Sequence, residues 1–249
     1  MSGSAERVRL HYVDFDGLRT GASFRDLPLA RLGFSAARVE LPAADSLVRL
    51  DRSEDYVSAV AAGLEEAPRA LLGYCGGVEV ARRLAVELAA AGEPPVLVVA
   101  IDPEPEDPAA RAKQYALLLS QLGAEPDGAA TLAQMRASLE RCYDNFVLGL
   151  PETDRPLFIE ERQPTLDRYV SWLGFVGAGS TAAATGDVPE RVLLSRDVAA
   201  PAGEQPPEVV RVEAEQERLL ASEEAAAALA TMAWEAGLAM AEVANRGQR

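Results

Sequence analysis

Residues 68–102 read PRALLGYCGGVEVARRLAVELAAAGEPPVLVVAID, and their order decides the fold. Arg69-Ala70-Leu71-Leu72 is a short apolar strand, Gly73-Tyr74-Cys75-Gly76-Gly77 a tight turn, and residues 78–92 a helix with apolar residues at helical spacing, ending at Gly92. Residues 94–102 form a second strand. Strand, turn, helix and strand in about 35 residues is the length of a right-handed crossover, which makes the two strands parallel neighbours in one sheet.

Working outward, residues 8–15 (VRLHYVDF) read as a buried strand entering the loop at Asp16-Gly17. A short amphipathic stretch covers 24–32, a proline-closed strand 37–42, and a helix 53–67 with Ser53 as N-cap. Beyond residue 102 the acidic, proline-rich PEPEDP leads into helical stretches at 109–122, 130–147 and 164–177, read as an insertion over the sheet. Strand patterns return at 191–197 and 208–214 around a Pro/Gly-rich loop at 199–207, and an alanine-rich helix starts near Ser222.

With 249 residues, 49% hydrophobic and 25% charged, the chain can bury one sizeable core, which excludes a disordered or disulfide-stapled protein. A net charge of −15, with Lys113 the only lysine, argues against phosphate-driven nucleic-acid binding and anionic membrane surfaces. Cys75 and Cys142 have no metal-ligand spacing to the single histidine, His11, so no His/Cys metal centre is expected. No cofactor is implied, since neither a Walker loop nor a G-x-G-x-x-G turn occurs. The first residues have no apolar leader and no run of 18 apolar residues exists, so a cytoplasmic location is expected.

Gly73-Tyr74-Cys75-Gly76-Gly77 fits G-x-nucleophile-x-G at a strand-to-helix junction, with cysteine where serine is usual. Helix-terminal N–H groups favour a thiolate, and the Gly76 N–H can meet a developing oxyanion. Such a site suits acyl chemistry; a buried structural cysteine at a strand end is the competing account. Cys142, three or four residues from Leu139 and Phe146, reads as packing. Ile101-Asp102 puts a carboxylate at the carboxyl end of the next strand, as a catalytic acid or as a cap on the turn before Pro103.

On this elbow and acid, the chain resembles the thioesterase branch of the α/β-hydrolases, notably external and terminal thioesterases of polyketide and nonribosomal-peptide assembly lines. That family places its triad aspartate about 27 residues after the nucleophile, the interval from Cys75 to Asp102. The resemblance covers residues 1–249 as a single α/β-hydrolase domain: a mostly parallel sheet, helices on both faces, and a helical lid at 103–180. It implies Cys75 as nucleophile, Asp102 as acid, and an oxyanion hole from Gly76 and Gly17. The substrate it implies is an acyl thioester on a phosphopantetheine carrier protein. Dienelactone hydrolase also has a cysteine in a G-Y-C turn, but its acid lies further along the chain.

The departure lies at the histidine, which the family carries between its late strand and last helix. Here that phrase is Val212-Glu213-Ala214-Glu215-Gln216-Glu217-Arg218-Leu219-Leu220, placing Gln216 at the histidine position, or Glu215 or Glu217 under a shifted alignment. Glutamine cannot accept a proton. His11, in the first strand, reads as a structural histidine. A glutamate could serve as base, or a preformed thiolate could attack unaided, and deacylation by water is then the harder half. Weight therefore shifts from hydrolysis to acyl transfer, cyclisation, or a retired site that binds an acyl chain or a carrier.

In the insertion, Tyr115, Tyr143, Phe146, Phe158 and Tyr169 fit core packing, while Trp172 and Phe175 are candidates for an apolar acyl channel. Gly177-Ala178-Gly179-Ser180 reads as a hinge or plain loop. Arg82, Arg83, Arg136 and Arg141 could meet an acidic carrier, although helix-face pairing with Glu79 and Glu87 accounts for the first two.

Overall fold

The computed structural model describes residues 8–15, 21–50, 52–104, 107–179, 185–200 and 208–238. In chain order its elements are β1 (Val8–Val13), β2 (Phe34–Arg38), α1 (Ala44–Leu47), α2 (Ser53–Ala62), β3 (Ala70–Tyr74), α3 (Gly77–Ala90), β4 (Leu97–Ile101), α4 (Ala110–Gln121), α5 (Leu132–Gly149), α6 (Arg155–Glu160), α7 (Arg162–Ala178), β5 (Glu190–Leu194), β6 (Glu208–Arg211) and α8 (Glu223–Ala233). Tight helical turns occupy Phe24–Asp26, Leu29–Leu32 and Gln216–Ala221. The chain divides into two compact units: Met1–Val39, Leu64–Glu104 and Ala183–Arg249 in one, Glu40–Gly63 and Pro105–Ala182 in the other. No helix among the described residues is long and apolar enough to cross a membrane.

The first unit is built on a six-stranded sheet in the order β2-β1-β3-β4-β5-β6, parallel throughout. The crossover from β3 through α3 to β4 pairs Ala70 with Leu97 and Tyr74 with Ile101. Every residue of Ala70–Tyr74 and Leu97–Ile101 is buried, as expected of central strands covered on both faces. Alternation divides them: Tyr12, Leu72, Tyr74, Val99 and Ile101 share a core with Ala226 and Leu229 of α8. Ala100, Val192 and Leu194 pack on Val78 of α3.

Arg82 of α3 is held by Glu79 and by Glu190 at the start of β5, 2.6 Å from Glu190, with its side chain only 17% exposed. It is therefore a buried tie between helix and sheet and offers nothing to an acidic partner. The second unit is helical, with α7 packed by α1, α2, α4, α5 and α6. Gly174 of α7 lets Leu47 and Tyr56 close on the helix, 3.2 Å and 3.5 Å from where a Cβ would lie. In this unit Arg136 is also turned inward, bonded to Asp45, Glu140 and Asp167. Arg141 reaches Asp127 at 3.4 Å.

Several boundaries differ from the sequence expectation. The strand expected at 37–42 is Phe34–Arg38, because Gly33, at φ 83, ends the Leu29–Leu32 turn and admits the chain to the sheet at once. The helix expected at 53–67 stops at Ala62, and its N-cap is Arg52, with Ser53 already helical. The late strands end at Leu194 and Arg211, and α1 and α6 were not anticipated from the pattern. Gly177 and Ala178 are not a hinge but the last turn of α7; Arg111 passes over Gly177 and donates to Leu173 O at 3.2 Å. Ser180 and residues 201–207 lie outside the described residues.

Gly73 is where the turn is tightest. A Cβ there would sit 2.5 Å from Val78 Cα and 2.8 Å from Gly77 O, both backbone atoms. Gly73→Ala is therefore expected to destabilise by about 3 kcal/mol or more. Gly149→Ala, with nothing within 4 Å of its added carbon, should be neutral or stabilising by about 0.5 kcal/mol. Urea midpoints of the two variants check the contrast.

Candidate active site

In the strand order β2-β1-β3, the chain passes from β1 to one side and returns from β2 to β3 on the other, so the crevice outside the carboxyl ends of β1 and β3 is a topological switch point. Cys75 stands there, one residue beyond β3. Its N–H donates to Ile101 O at 3.0 Å, extending the ladder, and its C=O accepts from Val78 N at 3.1 Å, opening the helix. These two bonds force φ to 52°, a left-handed value that a non-glycine residue adopts only under constraint. Gly76, at φ −60° and ψ −19°, is the N-cap of α3.

The thiol lies between two side chains. Cys75 Sγ donates to Glu104 Oε1 at 3.3 Å, and Gln216 Nε2 donates to Sγ at 3.9 Å. The backbone of the Gln216 segment is fixed from two sides: Tyr74 Oη donates to Gln216 O at 3.3 Å, and Ala22 N to Glu217 O at 3.2 Å. Of the residues considered for the histidine position, Gln216 is thus the one beside the thiol. Glu215 turns away to bond Arg196 at 2.9 Å.

Asp102 follows β4 as expected and is 1% exposed, with φ 42°. Its Oδ1 accepts from Ser195 N at 2.7 Å, which ties the acid to the end of β5. Its Oδ2 and the Ser195 hydroxyl are buried without a hydrogen-bond partner among the described residues. Burial pushes the carboxyl pKa above the usual range, against the lowering by the Ser195 N–H bond and the Arg211 charge.

His11 does not reach this edge. It pairs with Leu71 in the register of β1 on β3, four residues before Cys75, roughly 13 Å of strand rise. Its Nε2 lies 4.0 Å from Glu66, and burial lowers its pKa.

Cys75, Gly76, Asp102 and Gln216 are brought to one edge of the sheet unit, and Glu104 joins them. The sequence reading missed Glu104 because it sits in the PEPEDP run assigned to the insertion. Its signal was position: two residues past Asp102, just beyond the end of the strand next to the elbow. Gly17 and Asp16 lie outside the described residues. Trp172 and Phe175 belong to the helical unit, where their rings stack at 5.9 Å and Trp172 Nε1 donates to Gln114 at 3.3 Å. Cys142, on α5, is a partly buried free thiol.

No family profile matches the sequence, and no curated protein matches it. Solved structures do. The RedJ thioesterase from the prodiginine biosynthetic pathway in Streptomyces coelicolor aligns with a TM-score of 0.52 and 18% identity, over 93% of this chain and 90% of that one. RedJ with a PEG molecule bound in the active site gives 0.47 at 18% identity, over 93% and 97%. The NocB thioesterase domain, in covalent complex with a fluorophosphonate nocardicin G analogue, gives 0.46 at 16%, over 92% and 94%. The first of these likenesses shows the fold alone, that of an α/β-hydrolase.

The state of Asp102 is open to measurement. Its raised folded pKa means folding favours the protonated form, so this contribution is fully present below about pH 4 and is lost as pH rises through the folded value. Asp102→Asn should gain stability over wild type progressively above that pH, by about 1.4 kcal/mol for each unit of the shift. Denaturation midpoints at acid, intermediate and neutral pH test this; a difference that shrinks as pH rises refutes it.

Proposed function

We propose that the protein processes acyl thioesters through Cys75, in the assembly of a secondary metabolite of the polyketide or nonribosomal-peptide kind. The observation that carries this reading is a thiol at a left-handed strand-to-helix turn, at the carboxyl edge of a thioesterase-type sheet. The substrate would arrive on the phosphopantetheine arm of a carrier protein. Sγ attacks the thioester carbonyl, the Gly76 N–H meets the oxyanion, and collapse expels the carrier thiol to leave acyl-Cys75. The apolar rings of Trp172 and Phe175 are assigned to acyl recognition within this proposal.

The second half follows from Gln216. An amide beside Sγ can donate a hydrogen bond but cannot deprotonate water. An amine, a thiol or a nucleophile within the acyl chain resolves the acyl-enzyme with less help, which favours transfer or cyclisation unless Glu104, the carboxylate beside Sγ, activates water. The same observation supports a second reading, a retired site that binds an acyl chain or carrier.

Intact-protein mass spectrometry of wild type and Cys75→Ala after incubation with short acyl thioesters, with free acid quantified, tests the proposal. An adduct in wild type that is lost in Cys75→Ala is expected, with little free acid. Absence of both adduct and product with Cys75 reduced would leave the binding reading. Gln216→His should then raise hydrolysis of the acyl-enzyme by about 10²- to 10⁴-fold.

A further inference from the structure

We infer that the site selects acyl groups carrying a protonated amine close to the thioester carbonyl, with Glu104 as the partner of that ammonium. This rests on the thioester reading above and adds the chemical class of the substrate. Glu104 is exposed, its Oε1 is 3.3 Å from the nucleophilic sulfur, and no arginine or lysine pairs with it among the described residues. Several other carboxylates of its unit are paired, Glu66 with Arg9, Glu79 and Glu190 with Arg82, and Glu215 with Arg196; what distinguishes Glu104 is its contact with the thiol. Gln216, on the other side of the thiol, brings hydrogen-bonding capacity without charge. The nucleophile therefore touches a carboxylate that has no ion-pair partner among the described residues.

That carboxylate has two consequences. It opposes ionisation of the thiol, because a second negative charge at this distance is unfavourable. It also discriminates among acyl groups: it repels one ending in a carboxylate, gives nothing to a plain alkyl chain, and attracts an ammonium. With the carbonyl carbon at Sγ, an amine one or two carbons further along falls beside Oε1, where a charge-assisted hydrogen bond forms. The same pairing cancels the charge that holds the thiol protonated, so the matching acyl group both binds and releases its nucleophile. In the acylation step the Sγ–C bond forms, the bond from the carbonyl carbon to the carrier sulfur breaks, and the Sγ proton ends on the departing thiol. The substrate ammonium keeps its own proton throughout.

The experiment compares β-alanyl and butyryl thioesters of N-acetylcysteamine, which have equal chain length and differ in charge, with succinyl as the anionic arm. Rates of Cys75 acylation are read by intact mass for wild type and Glu104→Gln at neutral pH, with circular dichroism confirming the fold. Wild type should acylate about 2- to 5-fold faster with β-alanyl than with butyryl, and slowest with succinyl. Glu104→Gln should bring the β-alanyl and butyryl rates together. Equal rates in wild type, or a preference that survives in Glu104→Gln, overturns this inference while acylation of Cys75 stands. If wild type acylates with none of the three, the thioester reading itself fails, and this inference with it.

Discussion

The approach of β3 to α3 at Gly73 is the constraint on which the site depends. With Val78 Cα and Gly77 O where a side chain would begin, the strand must turn into the helix without slack. Cys75 is the residue that absorbs the reversal, bonded backward to Ile101 and forward to Val78. Its side chain is pushed out of the turn because both backbone groups are committed. Asp102 mirrors this one strand away, in the left-handed region and tied to Ser195. The two strained residues end adjacent parallel strands in matched register, so the sheet fixes their separation.

Charge is distributed with the same economy. Although the chain carries −15, Arg82 and Arg136 are spent inside their units, binding helix to sheet or helix to helix. Removing either partner of the Arg82 cluster would strand a buried charge, so these pairs define geometry more than they add stability. Two carboxylates near the thiol play opposite parts. Asp102 is buried and its burial works against ionisation, while Glu104 stands in solvent facing the sulfur.

Much of this was legible because the crossover obeys local rules. Apolar runs of strand length, a glycine-flanked turn and a helix of the right span leave one topology, and Cys75 and Asp102 follow from it by position, whereas Gln216 was reached only through the family resemblance, with Glu215 and Glu217 as alternatives. What was not legible depended on tertiary placement. The shift of β2 to Phe34–Arg38 is set by Gly33 and by pairing with β1, which override the pattern around Ala37. Glu104 was missed because an exposed glutamate in an acidic run has no periodicity to mark it, only its place just past Asp102. Arg82 looked like a helix-face residue because its second partner, Glu190, lies far away in sequence. Trp172 and Phe175 show the reverse limit: helical spacing placed them together, as their stacked rings bear out, but spacing carries no information about ligands.

The left-handed backbone at Cys75 also limits what chemistry the turn can ever host. At φ 52° a side chain branched at Cβ would crowd its own backbone, so threonine is shut out as a nucleophile while serine and cysteine are not. The choice between those two leaves the main chain untouched and changes only the atom presented, from a hard oxygen that needs a base to a polarisable sulfur that needs one far less. Under the proposed chemistry, a thiol at residue 75 asks less of its neighbours for a base than a hydroxyl would. One dihedral angle thus sets the short alphabet from which the residue at this turn can be drawn.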